Sequence, residues 1–280
     1  MFFVCPTVYC QNLPQPLTQV DACQKIRSSV VQVDTETMHG SGFIVDEDGW
    51  IVTALHVVAD PETLVKREKI TVSALGHQKP IPAEIVSPLD KTAQVRDFAI
   101  LKVNEPRLRA LELGNEADVE DGSPITIVGL PLSAMFRFPI NPVPRFCLSG
   151  TIAAQTALPL GNLEFLHTIY FQGVSIKGIS GAPIVSLVTG KVIGIVSTRM
   201  TGIDAALQHI RDNFGASETD ANDIGAHSSI IMHGIDPARA FGAMANVLDE
   251  QLANGLGTGT GAAYITDALK RAQQSYKKTH

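Results

Sequence analysis

Short runs of β-branched and aromatic residues, separated by glycine, proline and aspartate, dominate the chain from about residue 25 to residue 200. Val, Ile, Phe and Thr pack well on a pleated sheet, and the residues between the runs favour turns. Many short strands joined by turns indicate antiparallel barrels or a sandwich. The length fits two small barrels with a join near Leu111–Asp121. The predicted strands are Ser28–Val33, Gly42–Val45, Trp50–Ala54, Lys69–Ala74, Ala83–Ser87, Phe98–Val103, Pro124–Val128, Cys147–Ala154, Leu166–Phe171, Pro183–Ser186 and Lys191–Thr198.

The pattern changes after residue 200, where apolar residues recur at helical spacing. Helices are predicted over Gly202–Phe214, Pro237–Leu252 and Thr266–Tyr276. The glycine-rich segment 255–261 follows a predicted helix rather than a strand. We therefore interpret it as a flexible linker and not as a dinucleotide-binding loop.

The chain thus divides into three predicted regions. Residues 1–24 contain prolines among polar residues and are expected to form an irregular lead-in. Residues 25–200 form the β region, and residues 201–280 form an α-helical C-terminal extension. The predicted fold class is an all-β core of antiparallel barrels followed by helices.

Composition narrows the classes of partner. Hydrophobic residues make up 45% of the chain and charged residues 18%, which is typical of a globular protein. The net charge of −6 is mild, and like charges do not cluster into long runs. We therefore expect no nucleic-acid partner and no membrane partner. The cysteines form no Cys-x-x-Cys pair, so no metal site and no cofactor is expected.

Three residues with complementary chemistry occur in the order His, Asp, Ser. His56 follows the predicted strand Trp50–Ala54, Asp97 opens a strongly apolar strand, and Ser180 lies between glycines. A serine becomes a good nucleophile only when a histidine takes its proton and a carboxylate orients that histidine. A buried carboxylate at Asp97 also needs a partner, and an imidazole N–H is a natural one.

The residues around Ser180 suit a second role. Gly178 and Gly181 allow a tight backbone turn that points consecutive N–H groups into one place. Such donors can stabilise a developing negative charge. We assign an oxyanion hole to the N–H groups of Gly178 and Ser180.

Together, Thr53–His56, Asp97–Leu101 and the hexapeptide Gly178–Pro183 resemble the trypsin-like (chymotrypsin-fold) serine peptidases. The segments Gly40–Ile44 and His56–Val58 resemble the HtrA/DegP branch, here without a PDZ-like domain. The resemblance covers roughly residues 25–200. It implies a double six-stranded β-barrel, with His56 and Asp97 contributed by the first barrel and Ser180 by the second.

The resemblance also implies substrate contacts. Gly194–Ser197 is similar to the family strand that follows the nucleophile, whose serine bonds the catalytic carboxylate. Ser197 is accordingly expected to hydrogen-bond Asp97, and Ser197, Thr198 and Arg199 to form an edge that a peptide joins as an extra strand. Val174 near the base of the specificity pocket favours a small or medium apolar side chain. Arg199 at the pocket mouth is expected either to narrow the pocket or to attract an acidic side chain, so the cleavage preference stays open.

Two positions depart from the pattern of secreted members. Ile179 stands where they carry an aspartate that accepts a new N-terminus, so no zymogen cleavage is implied. Ala182 replaces a glycine. The leading hypothesis is a serine endopeptidase that acts on protein or peptide substrates through an acyl-enzyme. The alternatives are a peptidase-like binding scaffold, or a peptidase activated by a partner that binds residues 201–280. The oligomeric state is left open.

A cytoplasmic location is predicted from two observations. The N-terminal Met1–Pro6 is apolar but short and has no Lys or Arg before it, unlike a signal peptide. None of the four cysteines, Cys5, Cys10, Cys23 and Cys147, lies near His56 or Ser180, where secreted relatives have disulfides. A reducing compartment without a disulfide framework is therefore expected.

Overall fold

The computed structural model describes residues 15–131, 144–159, 165–173, 178–200 and 255–279. The helices predicted over Gly202–Phe214 and Pro237–Leu252 lie outside these residues. Val174 also lies outside them.

The first six strands form a closed antiparallel barrel in the order β1-β2-β3-β6-β5-β4. Its interior is filled by β-branched and other aliphatic side chains, and all four residues of β3 are buried. These strands are β1 (Val30–Asp34), β2 (His39–Asp46), β3 (Trp50–Thr53), β4 (Thr71–Ser73), β5 (Ile81–Ile85) and β6 (Ala99–Val103).

The last six strands form a second closed antiparallel barrel in the order β10-β11-β12-β9-β8-β7. Because each barrel is closed, every strand pairs with a neighbour on both of its sides over at least part of its length. The predicted class of two six-stranded barrels is therefore confirmed, and each of the eleven predicted strands has a counterpart. The strands are β7 (Pro124–Gly129), β8 (Phe146–Pro159), β9 (Phe165–Gly173), β10 (Pro183–Ser186), β11 (Val192–Met200) and β12 (Leu256–Gly261).

The flexible linker predicted at residues 255–261 is wrong, because this segment is β12 and completes the second barrel. The barrel thus extends past residue 200, where the predicted β region ended. The alternating glycines of β12 are packing sites. A Cβ atom on Gly257 would lie 2.2 Å from the Phe171 ring, and one on Gly259 would lie 2.4 Å from Ile184 Cδ1. Neither position has room for a side chain.

The irregular lead-in predicted for residues 1–24 is also wrong over its last residues. Helix α1 (Gln19–Ile26) begins there, with the Thr18 hydroxyl accepting a hydrogen bond from the Asp21 amide as N-cap. Ala22 and Ile26 are buried in a cluster that contains side chains of both barrels. The apolar stripe of α1 therefore joins a core that the two barrels share.

Three further helices lie near the site or flank it: α2 (Leu55–Val58), α3 (Lys91–Arg96) and α4 (Ala262–Thr279). Helix α4 contains the predicted helix Thr266–Tyr276. It reaches the first barrel through an edge-to-face contact of Tyr276 with Trp50, with ring centroids 5.6 Å apart. The Gln273 amide also donates to the Asp46 carboxylate at 3.0 Å. Among the helices of the described residues, none is both long and apolar enough to cross a bilayer.

Cys23 of α1 and Cys147 of β8 form a disulfide, with their Cα atoms 5.9 Å apart. This separation is ordinary for a disulfide. We expected no disulfides in this chain, and the Cys23–Cys147 bond shows that this expectation is wrong. The cytoplasmic location stays a prediction, and the cysteine argument no longer supports it.

Candidate active site

His56 and Asp97 form the centre of the site. Strand β3 ends at Thr53, and His56 lies in the single turn of α2 that follows. Its Nδ1 atom lies 2.8 Å from Asp97 Oδ2, and its backbone N–H donates to Asp97 Oδ1 at 3.1 Å. Because a carboxylate faces Nδ1, that nitrogen carries the proton and Nε2 is left as an acceptor. The arrangement therefore prepares Nε2 to act as a base.

The Asp97 carboxylate is held in a largely enclosed position. Its side chain is 16% exposed and that of His56 is 23% exposed. Besides the two His56 groups, Asp97 accepts a hydrogen bond from the Ser197 hydroxyl at 2.5 Å. Three donors around one carboxylate fix its orientation toward His56. The expected contact between Ser197 and Asp97 is present in the structure.

Ser197 lies at an irregularity of β11. The pairing with β12 shifts between Val196, which faces Gly259, and Arg199, which faces Gly257. Two residues of β11, Ser197 and Thr198, therefore lie opposite one residue of β12, Thr258, as in a β-bulge. Bulges commonly redirect a side chain beside an active site, and here the Ser197 hydroxyl meets Asp97 of the other barrel.

Ser180 lies in a tight turn before β10. Gly178 has φ +96° and Gly181 has φ +88°, conformations that favour glycine. The Ala182 amide donates to the Ile179 carbonyl, and the Gly181 amide donates to the Val196 carbonyl, both at 2.8 Å. The turn is thus anchored to β11, the strand that also carries Ser197.

The proposed oxyanion hole consists of the Gly178 and Ser180 amides. Among the hydrogen bonds of the described residues, neither the Gly178 N–H nor the Ser180 N–H has an acceptor. Two unused donors on one glycine-rich turn are what a developing oxyanion requires.

Ser41 contacts the Ser180 turn, and the sequence analysis assigned it no role. Its hydroxyl donates to the Gly178 carbonyl at 2.7 Å and accepts from the Leu130 amide at 2.9 Å. Its backbone N–H donates to the Ser180 carbonyl at 2.8 Å. The Gly-Ser-Gly run near the start of β2 is the part of the sequence that could have pointed to Ser41. It contributes to the resemblance to the HtrA branch, but the resemblance alone suggested no role for the serine.

The structure brings together His56, Asp97 and Ser197, and it sets the Ser180 turn against the segment that leads to His56. A Cβ atom on Gly181 would lie 2.8 Å from the Ala54 amide, so the two backbones are in contact. The hydrogen bonds found in the described parts of the chain do not include one between the Ser180 hydroxyl and His56. Such bonds often tighten only when substrate binds.

The predicted substrate-binding residues are described only in part. Thr198 and Arg199 belong to the backbone of β11, and Val174 lies outside the described residues. On its β10 side, β11 pairs as far as Pro183 with Ile195. Within the described residues no strand continues this pairing beside Ser197–Arg199. No group of three His, Cys, Asp or Glu side chains suited to a metal occurs in the same part of the chain.

Comparison with protein families finds one match, to the trypsin-like peptidase domain, over residues 40–195. This range covers more than half of the chain. It contains His56, Asp97 and Ser180, together with strands of both barrels.

Curated relatives are serine proteases of the HtrA type. The chain is 33% identical to serine protease HTRA1B of Danio rerio over 183 residues, which is 65% of this chain and 35% of that protein. It is 30% identical to mitochondrial serine protease HTRA2 of Drosophila ananassae over 171 residues, which is 60% of this chain and 36% of that protein. The chain spans about a third of the length of these relatives. The resemblance to the HtrA branch is confirmed.

Solved structures share the fold. An inactive serine-to-alanine mutant of Rv3671c from M. tuberculosis H37Rv has a TM-score of 0.50 and 22% identity, covering 68% of this chain and 85% of that one. The HtrA-type protease AlgW with a tripeptide has a TM-score of 0.51 and 23% identity, covering 64% of this chain and 54% of that one. At these identities the likeness concerns the double barrel.

Proposed function

Because the chain belongs to the family of trypsin-like peptidase domains, we propose that it is a serine endopeptidase with Ser180, His56 and Asp97 as its catalytic triad. The observation that carries the proposal is the hydrogen-bonded set of His56, Asp97 and Ser197. That set leaves His56 Nε2 as a base beside a nucleophile-bearing turn. It joins residues of both barrels at one place.

Acylation begins when Ser180 Oγ attacks the carbonyl carbon of the scissile bond and His56 Nε2 takes the hydroxyl proton. Asp97 stabilises the imidazolium through the Nδ1 hydrogen bond. The carbonyl oxygen gains negative charge and is held by the amides of Gly178 and Ser180. The tetrahedral intermediate collapses when His56 gives its proton to the leaving amine, which leaves an ester on Ser180.

Deacylation repeats these steps with water as the nucleophile. His56 takes a proton from water as the oxygen attacks the ester carbonyl, and it returns a proton to Ser180 Oγ. The product is a free carboxylate. Each residue thus returns to its starting state.

The substrate is proposed to be an extended peptide that pairs with β11. The backbone at Ser197–Arg199 offers hydrogen-bonding groups beyond the point where β10 pairs with β11. Main-chain pairing of this kind binds many sequences with similar strength, and side-chain pockets then select among them. We do not assign a preferred residue before the scissile bond.

Labelling with a fluorophosphonate probe tests the proposal. An activated serine attacks the phosphorus, fluoride leaves, and His56 accepts the proton. Wild type should be labelled, and Ser180→Ala and His56→Ala should not. Ser149→Ala is the matched control, because Ser149 is an exposed serine on β8. Folding of every variant should be checked by circular dichroism.

The result separates the peptidase from its alternatives. Labelling that depends on both Ser180 and His56 supports the triad. Unlabelled but folded wild type would overturn an autonomously active peptidase. It would favour a binding scaffold or a peptidase that needs a partner at residues 201–280. Adding candidate protein partners and measuring labelling again distinguishes these two.

A further inference from the structure

The peptide unit between Arg96 and Asp97 is held by residues outside the proposed triad. Asp97 ends α3 in the left-handed conformation, with φ 47° and ψ 47°. A residue other than glycine is disfavoured in this conformation, so its surroundings must hold it there. The direction of the Asp97 side chain depends on this one backbone conformation.

Thr260 of β12 hydrogen-bonds the carbonyl of that peptide unit, whose Asp97 amide donates to the Ala93 carbonyl at 2.8 Å. Its hydroxyl donates to the Arg96 carbonyl at 2.6 Å, and the residue is 5% exposed. The last carbonyls of a helix lack donors within the helix, and Arg96 is the last residue of α3. Since the Arg96 carbonyl and the Asp97 amide belong to one peptide unit, the bond restrains the backbone from which the carboxylate projects.

Tyr264, in the first turn of α4, holds the neighbouring side chain. The Arg96 guanidinium carbon lies 3.9 Å from the centre of the Tyr264 ring. Arg96 is only 7% exposed, so this cation–π contact is largely shielded from water and correspondingly stronger. The backbone and the side chain of Arg96 are therefore both fixed by the segment that starts at β12 and continues into α4.

A buried carboxylate anchors the start of this helix. Glu116 is 3% exposed and accepts a hydrogen bond from the Ala263 amide at 3.0 Å. An acidic group is favourable at a helix N-terminus. A Cβ atom on Gly261 would lie 2.3 Å from the Glu116 carboxyl carbon, so the carboxylate occupies that space. Tyr264 is thereby set at a defined place over Arg96.

We propose that Thr260 and Tyr264 are positioning residues that keep the Asp97 carboxylate aligned with His56. Neighbouring strands β11 and β12 then hold Asp97 at two points. Ser197 bonds the carboxylate, and Thr260 bonds the carbonyl that precedes it. The effect on catalysis rests on the proposed peptidase function, whereas the effect on the geometry of His56 and Asp97 does not.

Paired substitutions test Thr260. Thr260→Val keeps the shape but removes the hydroxyl, whereas Thr260→Ser keeps the hydroxyl. Thr260→Val should lower kcat by about tenfold to a hundredfold with KM unchanged, because a small displacement of a catalytic group is costly. Thr260→Ser should restore most of the activity. Thr266→Val is the control, since within the described residues the Thr266 hydroxyl donates to the Ala262 carbonyl of its own helix.

Tyr264 is tested in the same way. Tyr264→Phe keeps the ring face above Arg96 and should retain activity, whereas Tyr264→Leu should lower kcat. In Thr260→Val and Tyr264→Leu the acid limb of the profile of kcat/KM against pH should move to lower pH, because a displaced carboxylate stabilises the imidazolium less. A purely structural loss would reduce the amount of folded enzyme without moving that limb.

Proton NMR of the folded protein provides a readout that needs no turnover. The proton between His56 Nδ1 and Asp97 should resonate far downfield in wild type and in the Thr266→Val control. It should shift upfield or broaden in Thr260→Val. An unchanged resonance in folded Thr260→Val would overturn the positioning role, even if the wild type proved to have no peptidase activity. Failure of probe labelling in wild type would overturn only the proposed function.

Discussion

The Ser41 hydroxyl donates a hydrogen bond to the Gly178 carbonyl at 2.7 Å, so a strand of the first barrel orients the turn that carries Ser180. The Ser41 backbone N–H also donates to the Ser180 carbonyl at 2.8 Å, so the first barrel holds this turn at two carbonyls. The link complements Ser197, which reaches from the second barrel to Asp97 in the first. Each barrel thus holds a part of the proposed site that the other barrel contributes.

Replacing Ser41 by alanine should disturb both the turn and the barrel interface. The change leaves the buried Leu130 amide without its acceptor, which costs about 1–3 kcal/mol of unfolding free energy. Looser Gly178 and Ser180 amides should slow probe labelling of Ser180 by about tenfold. Urea unfolding and labelling rates measure the two effects, with Ser149→Ala as control. Wild-type labelling rates in a folded Ser41→Ala variant would contradict the role of Ser41.

Replacing Asp97 by asparagine should leave the fold intact and abolish most activity. An amide can donate to His56 Nδ1, which moves the imidazole proton to Nε2 and removes the base. The expected loss in kcat is about 10⁴-fold. Ser197→Ala should be far milder, because Asp97 keeps its two bonds to His56. Steady-state hydrolysis of a peptide substrate compares the two, and similar losses would show that the carboxylate is not oriented as proposed.

Replacing Gly261 by alanine should weaken the start of α4. The new methyl group must displace the Glu116 carboxylate, since the two would otherwise lie 2.3 Å apart. We expect about 1–3 kcal/mol of lost unfolding free energy, as for other overpacked sites. Gly255→Ala is the matched control, because a Cβ atom there meets nothing within 4 Å. Equal midpoints for the two variants in urea would count against this anchor.

Reducing the Cys23–Cys147 disulfide should destabilise the protein without removing the site. The bond links residues separated by 124 positions, and closing so long a loop restricts the unfolded chain. The expected contribution is about 2–4 kcal/mol. Peptide mapping without reductant should recover the linked pair. Cys147→Ser should match reduced wild type in urea and should be insensitive to added reductant.

The sequence predicted the β runs well because their side chains carry the signal. Strands β1 to β11 are rich in Val, Ile, Phe and Thr, and the order of His56, Asp97 and Ser180 suggested the site. Strand β12 was missed because glycine is unfavourable in strands. Glycine is required at positions 257 and 259 because Phe171 and Ile184 fill the space that a side chain would occupy, and these contacts are visible only in the folded structure. The strict glycine alternation along this strand was the available clue.

Long-range contacts explain the other misses. Helix α1 is stabilised by burial of Ala22 and Ile26 in a cluster with residues of both barrels, most of which lie far away in sequence. The Cys23–Cys147 pair likewise becomes apparent only when α1 lies beside β8. The roles of Ser41 and Thr260 depend on backbone carbonyls of the other barrel. No local pattern reports such partners.

The position of β12 in the chain also sets an order of assembly during synthesis. Residues 201–255 emerge from the ribosome between two strands that are neighbours in the finished barrel. Until β12 follows them, β9 and β11 both expose hydrogen-bonding edges, and Arg96 lacks the Thr260 hydroxyl. A nascent chain can therefore complete its first barrel early, whereas the alignment of Asp97 waits for one of the last segments to be made.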